Sequence, residues 1–110
     1  MNSYIQVLTT TNSKEKAEEI ARRLLEKRLA GCVQIIGPIR SMYWWRNVIE
    51  EAEEWMCFIK TRAELYGDVE KLIRSLHSYE VPEIISLPIT TGYKRYLEWL
   101  SSEVGDHSMR

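Results

Sequence analysis

The sequence predicts an α+β domain of the ferredoxin-like kind. The expected order is βαββαβ in one antiparallel sheet, with two helices on one face, a long hairpin between the second and third strands, and a short C-terminal helix. Three observations carry this. Two stretches space their apolar residues as amphipathic helices do. Runs rich in β-branched and aromatic residues flank both stretches. Between them, two long strand-like runs meet at Arg46-Asn47, a dipeptide suited to a tight turn because Asn tolerates positive φ.

Tyr4-Ile5-Gln6-Val7-Leu8-Thr9 reads as the first strand, followed by a hydroxyl-rich connection, Thr9 to Ser13. Asn12 with Glu15 three residues on has the form of a capping box. Ala17, Ile20, Ala21, Leu24, Leu25 and Leu29 then form one apolar stripe, and Glu18–Arg22 and Glu19–Arg23 pair on the opposite face. Gly31 stands where a left-handed cap residue is expected. Cys32 to Ile36 is a second strand. Gly37-Pro38 interrupts it, so this strand is expected at an edge or with a bulge, since Pro cannot donate to the ladder. The run resumes through Trp45, turns, and returns through the strongly apolar Glu54 to Thr61, expected to be central. Leu65, Val69, Leu72, Ile73 and Leu76 give the second helix. Glu83 to Ile89 is the last strand, with Pro88 suggesting an edge, and Tyr96, Leu97 and Leu100 mark the terminal helix. Residues 1–104 are read as one domain and 105–110 as a frayed tail.

At 110 residues, 45% hydrophobic and 28% charged, the chain suits a single globular core. A net charge of −1 supplies no field to attract nucleic acid or an anionic membrane. No apolar run approaches a membrane span, and a strand-like start leads us to expect no signal peptide. Cys32 and Cys57 both sit in apolar runs, which fits reduced thiols and a cytoplasmic setting. The sheet face away from the helices would be naked yet apolar, so self-association is expected to cover it.

Five segments in register resemble the CutA family of divalent-cation tolerance proteins. They are Val7 to Thr11, Leu29 to Val33, Ser41 to Trp45, His77-Ser78-Tyr79-Glu80-Val81-Pro82-Glu83-Ile84, and Tyr96 to Leu100. The chain carries Ser78 where the family usually reads Pro, and Thr9 where some members carry Cys. The resemblance implies a ferredoxin-like protomer in a homotrimer, similar in build to PII-like signalling trimers, and a link to copper and other divalent cations.

The candidate metal ligands are His77 and Glu80, since Cu²⁺ and Zn²⁺ favour imidazole. The plainer reading of His77 is a histidine near a helix C-terminus, favourable with the dipole. Lys60, Tyr79, Glu83 and Trp45 are candidates for a cleft between protomers. Glu80 and Glu83 have a structural alternative, capping backbone or pairing with Lys60 across subunits. Trp44 and Trp45 alternate in direction, so one is expected inside and the other against a neighbour. Cys32 and Cys57 read as small core residues before they read as Cu(I) ligands. The run Glu50, Glu51, Glu53, Glu54 reads as a solvated edge.

The leading function is thus a cytoplasmic, homotrimeric, metal-responsive protein without catalytic activity. The alternative is a PII-like scaffold or signalling trimer holding a small molecule or partner in its clefts. Acylphosphatases share this build but need an Arg in the loop after strand one, and Thr9 to Ser13 supplies none. No Ser-His-Asp or Cys-His arrangement is readable either.

Overall fold

The computed structural model describes residues 3–106. Its elements are β1 (Tyr4–Thr11), α1 (Lys14–Glu26), β2 (Cys32–Trp45), β3 (Val48–Arg62), α2 (Tyr66–Leu76), β4 (Ile84–Ile89) and α3 (Lys94–Glu103), with a 3-10 turn at Ala63–Leu65 leading into α2. The four strands form one sheet in the order β2-β3-β1-β4, every pairing antiparallel. This is the ferredoxin-like order, as the sequence predicts. β3 is central, and the two proline-bearing strands, β2 and β4, are the edges.

Alternation along the strands separates two faces. Ile5 and Val7 of β1 and Cys57 and Ile59 of β3 point to the helices. There they pack with Ala17, Ile20 and Leu24 of α1 and Val69 and Ile73 of α2. The other face carries Leu8, opposite both Phe58 and Ile85, and Ile36 opposite Met56. Ile36, Ile85 and Leu87 are exposed there, while Leu8, Met56 and Phe58 are half-buried. One apolar face therefore stays uncovered within the protomer.

Several local expectations resolve differently. The N-cap of α1 is Ser13, whose Oγ accepts from the Lys16 N–H at 3.1 Å, because β1 continues to Thr11 and delays the helix by a residue. The left-handed residue after α1 is Arg28, at φ 58, not Gly31. Bonds from the Arg28 N–H to the Leu25 carbonyl and from the Leu29 N–H to the Leu24 carbonyl form a Schellman motif. Gly31 serves close packing instead, since a Cβ there would lie 2.5 Å from Leu100 Cδ1. Leu25 is exposed rather than part of the buried stripe.

Register slips between Ile36 and Ile39 of β2, so Gly37 and Pro38 together oppose Trp55 as a bulge. Trp55 lies over Gly37, where a Cβ would meet its ring at 2.3 Å. At the far end Arg46 and Asn47 take φ 51 and 67, the consecutive positive values of a type I′ turn. The hairpin helps make the protomer 48 Å long against 28 and 21 Å in the other directions. Gly105 is anchored rather than frayed, since its N–H donates to the Arg28 carbonyl at 2.8 Å. The rest of the expected tail from 107 on, His107 included, lies outside the described residues. No helix among the described residues is long and apolar enough to cross a membrane.

Candidate functional site

The segment from His77 to Glu83 leaves the end of α2 and runs beside the hairpin before joining β4. His77 closes the helix, its N–H donating to the Ile73 carbonyl at 2.9 Å. Its ring spans two elements. Nε2 lies 2.7 Å from the Thr10 carbonyl, which can only accept, so Nε2 carries the proton; Nδ1 accepts the Tyr79 N–H at 3.1 Å. Both ring nitrogens are therefore occupied. Burial holds the imidazole below its ordinary pKa. The Thr10 bond and the Glu54 carboxylate oppose that shift, and Lys16 adds to it.

Held this way, Tyr79 packs beside the imidazole, ring centres 4.8 Å apart, and its phenol donates to Glu54 Oε2 at 2.6 Å. Burial, then the Glu54 bond and its charge, push the phenol well above its ordinary pKa. Ser78 donates to Asn12 Oδ1 at 3.3 Å, so a side-chain bond ties the loop to the end of β1.

Between this loop and the hairpin lies a groove of about 840 Å³. Tyr43, Trp44, Trp45 and Tyr79 give it aromatic walls, and its lining carboxylates are Glu50, Glu54, Glu80 and Glu83. Arg46, at the hairpin tip, lies 5.3 Å from the centre of the Trp45 ring and 3.4 Å from Glu80 Oε2. Arg46 and Glu80 are both about seven-tenths exposed, so their pairing contributes little stability.

The predicted residues fall into two places. His77, Tyr79, Glu80, Glu83 and Trp45 gather around the loop and groove. The His77 ring turns toward β1 while Glu80 reaches to the hairpin tip. Among the described residues no three His, Cys, Asp or Glu side chains converge as a metal shell would require. Lys60 stands apart, bonded to Gln34 on the uncovered face. It is six residues from Glu54 along β3, roughly 20 Å at the strand's rise. Only a second copy can bring a Lys60 to this groove.

Two expectations are corrected here. Glu54 is 4% exposed and is not part of a solvated edge. It opposes Ile39 just past the bulge, on the sheet face that the loop covers through Tyr79. Neither Trp44 (71% exposed) nor Trp45 (36%) packs inside, because both stand at the hairpin end, beyond the core cluster. Cys57 is buried in the core with its thiol pushed up to about 11 by burial, and Cys32 is a half-buried free thiol. Thr9 is fully buried on the helix-facing side. Sequence reasoning missed Glu54, although its position two residues before Met56 puts both on one face.

The profile described as CutA1 divalent ion tolerance protein matches residues 5–103. The divalent-cation tolerance protein CutA of Archaeoglobus fulgidus is 43% identical over 104 residues, covering 94% of this chain and 99% of that one. Among solved structures, the divalent cation tolerance protein of Thermus thermophilus superposes with a TM-score of 0.91 at 38% identity, covering 93% and 99% of the two chains. CutA1 of Oryza sativa gives 0.92 at 36%, covering 94% and 95%. With its ferredoxin-like sheet and this breadth of match, the chain belongs to the CutA1 divalent ion tolerance family.

Proposed function

We propose that this chain acts in the cytoplasm as a homotrimer that binds divalent cations, copper among them, without catalysing a reaction. The observation that carries the reading is the acidic groove, four of whose lining side chains are carboxylates, with Glu54 buried among them. The apolar face around Leu8, Phe58 and Ile85 supports the trimer, since burying it stabilises association. In this reading Glu80 and His77 are the ligands. Glu80 is solvent-exposed, and His77 ligates by releasing either Thr10 or Tyr79, so metal capture moves the loop. A neighbouring copy completes the shell that one protomer lacks. Two free cysteines support a reducing compartment. Calorimetric titration of metal-free protein with Cu²⁺ and Zn²⁺, beside His77→Ala and Glu80→Gln, tests the metal half. Binding unchanged in both variants refutes these ligands. Light scattering that gives a monomer mass at micromolar concentration refutes the trimer.

A second reading is favoured by the groove's size and aromatic walls. It is a PII-like trimer whose clefts, with Trp45, Tyr79 and Glu83 from one copy and Lys60 from the next, hold a small molecule or a partner segment. Stabilisation by a metabolite but by no metal selects this reading over the first.

A further inference from the structure

We draw no further inference here: the strongest candidate, the exposed aromatic stripe of Tyr93, Tyr96 and Trp99 along α3, is a surface of one protomer, and nothing in the structure shows what covers it.

Discussion

Tyr79 donates its phenolic proton to Glu54 Oε2 at 2.6 Å, joining a loop to a strand 25 residues away in sequence. Fixed by this bond, the loop becomes one wall of a groove. The bond also gives the Glu54 carboxylate a neutral hydrogen-bond donor. Replacing Tyr79 by Phe removes this donor from a buried carboxylate, which is expected to cost about 1–3 kcal/mol. Urea unfolding of Tyr79→Phe, Glu54→Gln and the double variant measures it. If the two losses simply add, the residues are not coupled and the bond carries no weight.

The same phenol sets the alkaline limit. Folding raises its pKa through burial first and the Glu54 bond second. The fold thus favours the neutral phenol over its anion. That contribution is complete below the ordinary tyrosine pKa of about 10 and is lost as pH rises toward the raised value. Stability should therefore decline above about pH 10, and Tyr79→Phe should decline less steeply. Tyr66 and Tyr96 are raised by burial as well, so absorbance titration at the phenolate band checks the assignment by whether the last tyrosine to ionise in the parent is missing in Tyr79→Phe.

His77 sets a limit on the acid side. Its pKa is lowered, burial being the largest cause, and Nδ1 must be unprotonated to accept the Tyr79 N–H. The contribution is present above the unfolded value of about 6.5 and is lost as pH falls through the lower folded one. Stability measured from neutral pH downward should drop in the parent chain and drop less in His77→Gln. An imidazole that titrates by NMR at or above its ordinary value would sink this account.

The fold was legible where a residue's chemistry acts locally. Arg46-Asn47 gave the turn because its positive φ values are intrinsic to a two-residue hairpin. Pro38 pointed to an edge or a bulge, and the structure has both, because a missing donor constrains any ladder. Long-range packing was not legible. Gly31 looks like a helix cap, but its reason is Leu100, 69 residues on, and Arg28 takes the left-handed position. At the site, the loop stood out by composition, and His77, Tyr79, Glu80 and Glu83 do gather there. Glu54 was hidden in an acidic run, because its burial depends on a tyrosine that only the fold brings across.

Gly37 is predicted to be intolerant. A Cβ there would meet Trp55 Cδ1 at 2.3 Å and Cγ at 2.6 Å, and a packed indole cannot retreat as a flexible side-chain end can. Gly37→Ala should destabilise by about 1–3 kcal/mol through overpacking. Pairing it with Trp55→Leu should recover part of that loss if the ring is the obstacle. An unaffected midpoint in thermal unfolding would show that the bulge yields instead.

Cys57 should be inert. Burial raises its thiol to about 11, so little thiolate forms at neutral pH, and its Sγ lies 3.7 Å from the Ala17 carbonyl inside the core. Iodoacetamide at pH 8 is expected to leave Cys57 unmodified in folded protein and to label it in denaturant, as peptide mass mapping would show. Labelling at equal rates in both states would mean that the core opens far more readily than its packing implies.

The uncovered face gives the last test, and it separates assembly from folding. Phe58 is half-buried and sits directly opposite Leu8, which in turn faces Ile85. Burying large side chains like these stabilises by about 1.5–3 kcal/mol each. A charge at the centre of that patch would be desolvated without a partner if a second copy covered it. Phe58→Asp should therefore lower the mass seen by light scattering while the helical circular dichroism of the protomer persists. Ile49→Asp, a change of similar chemistry on the exposed part of the hairpin, controls for charge alone. If Phe58→Asp keeps the parent's mass, this face is not what holds copies together, and the assembly must be built from the hairpin or the sheet edges.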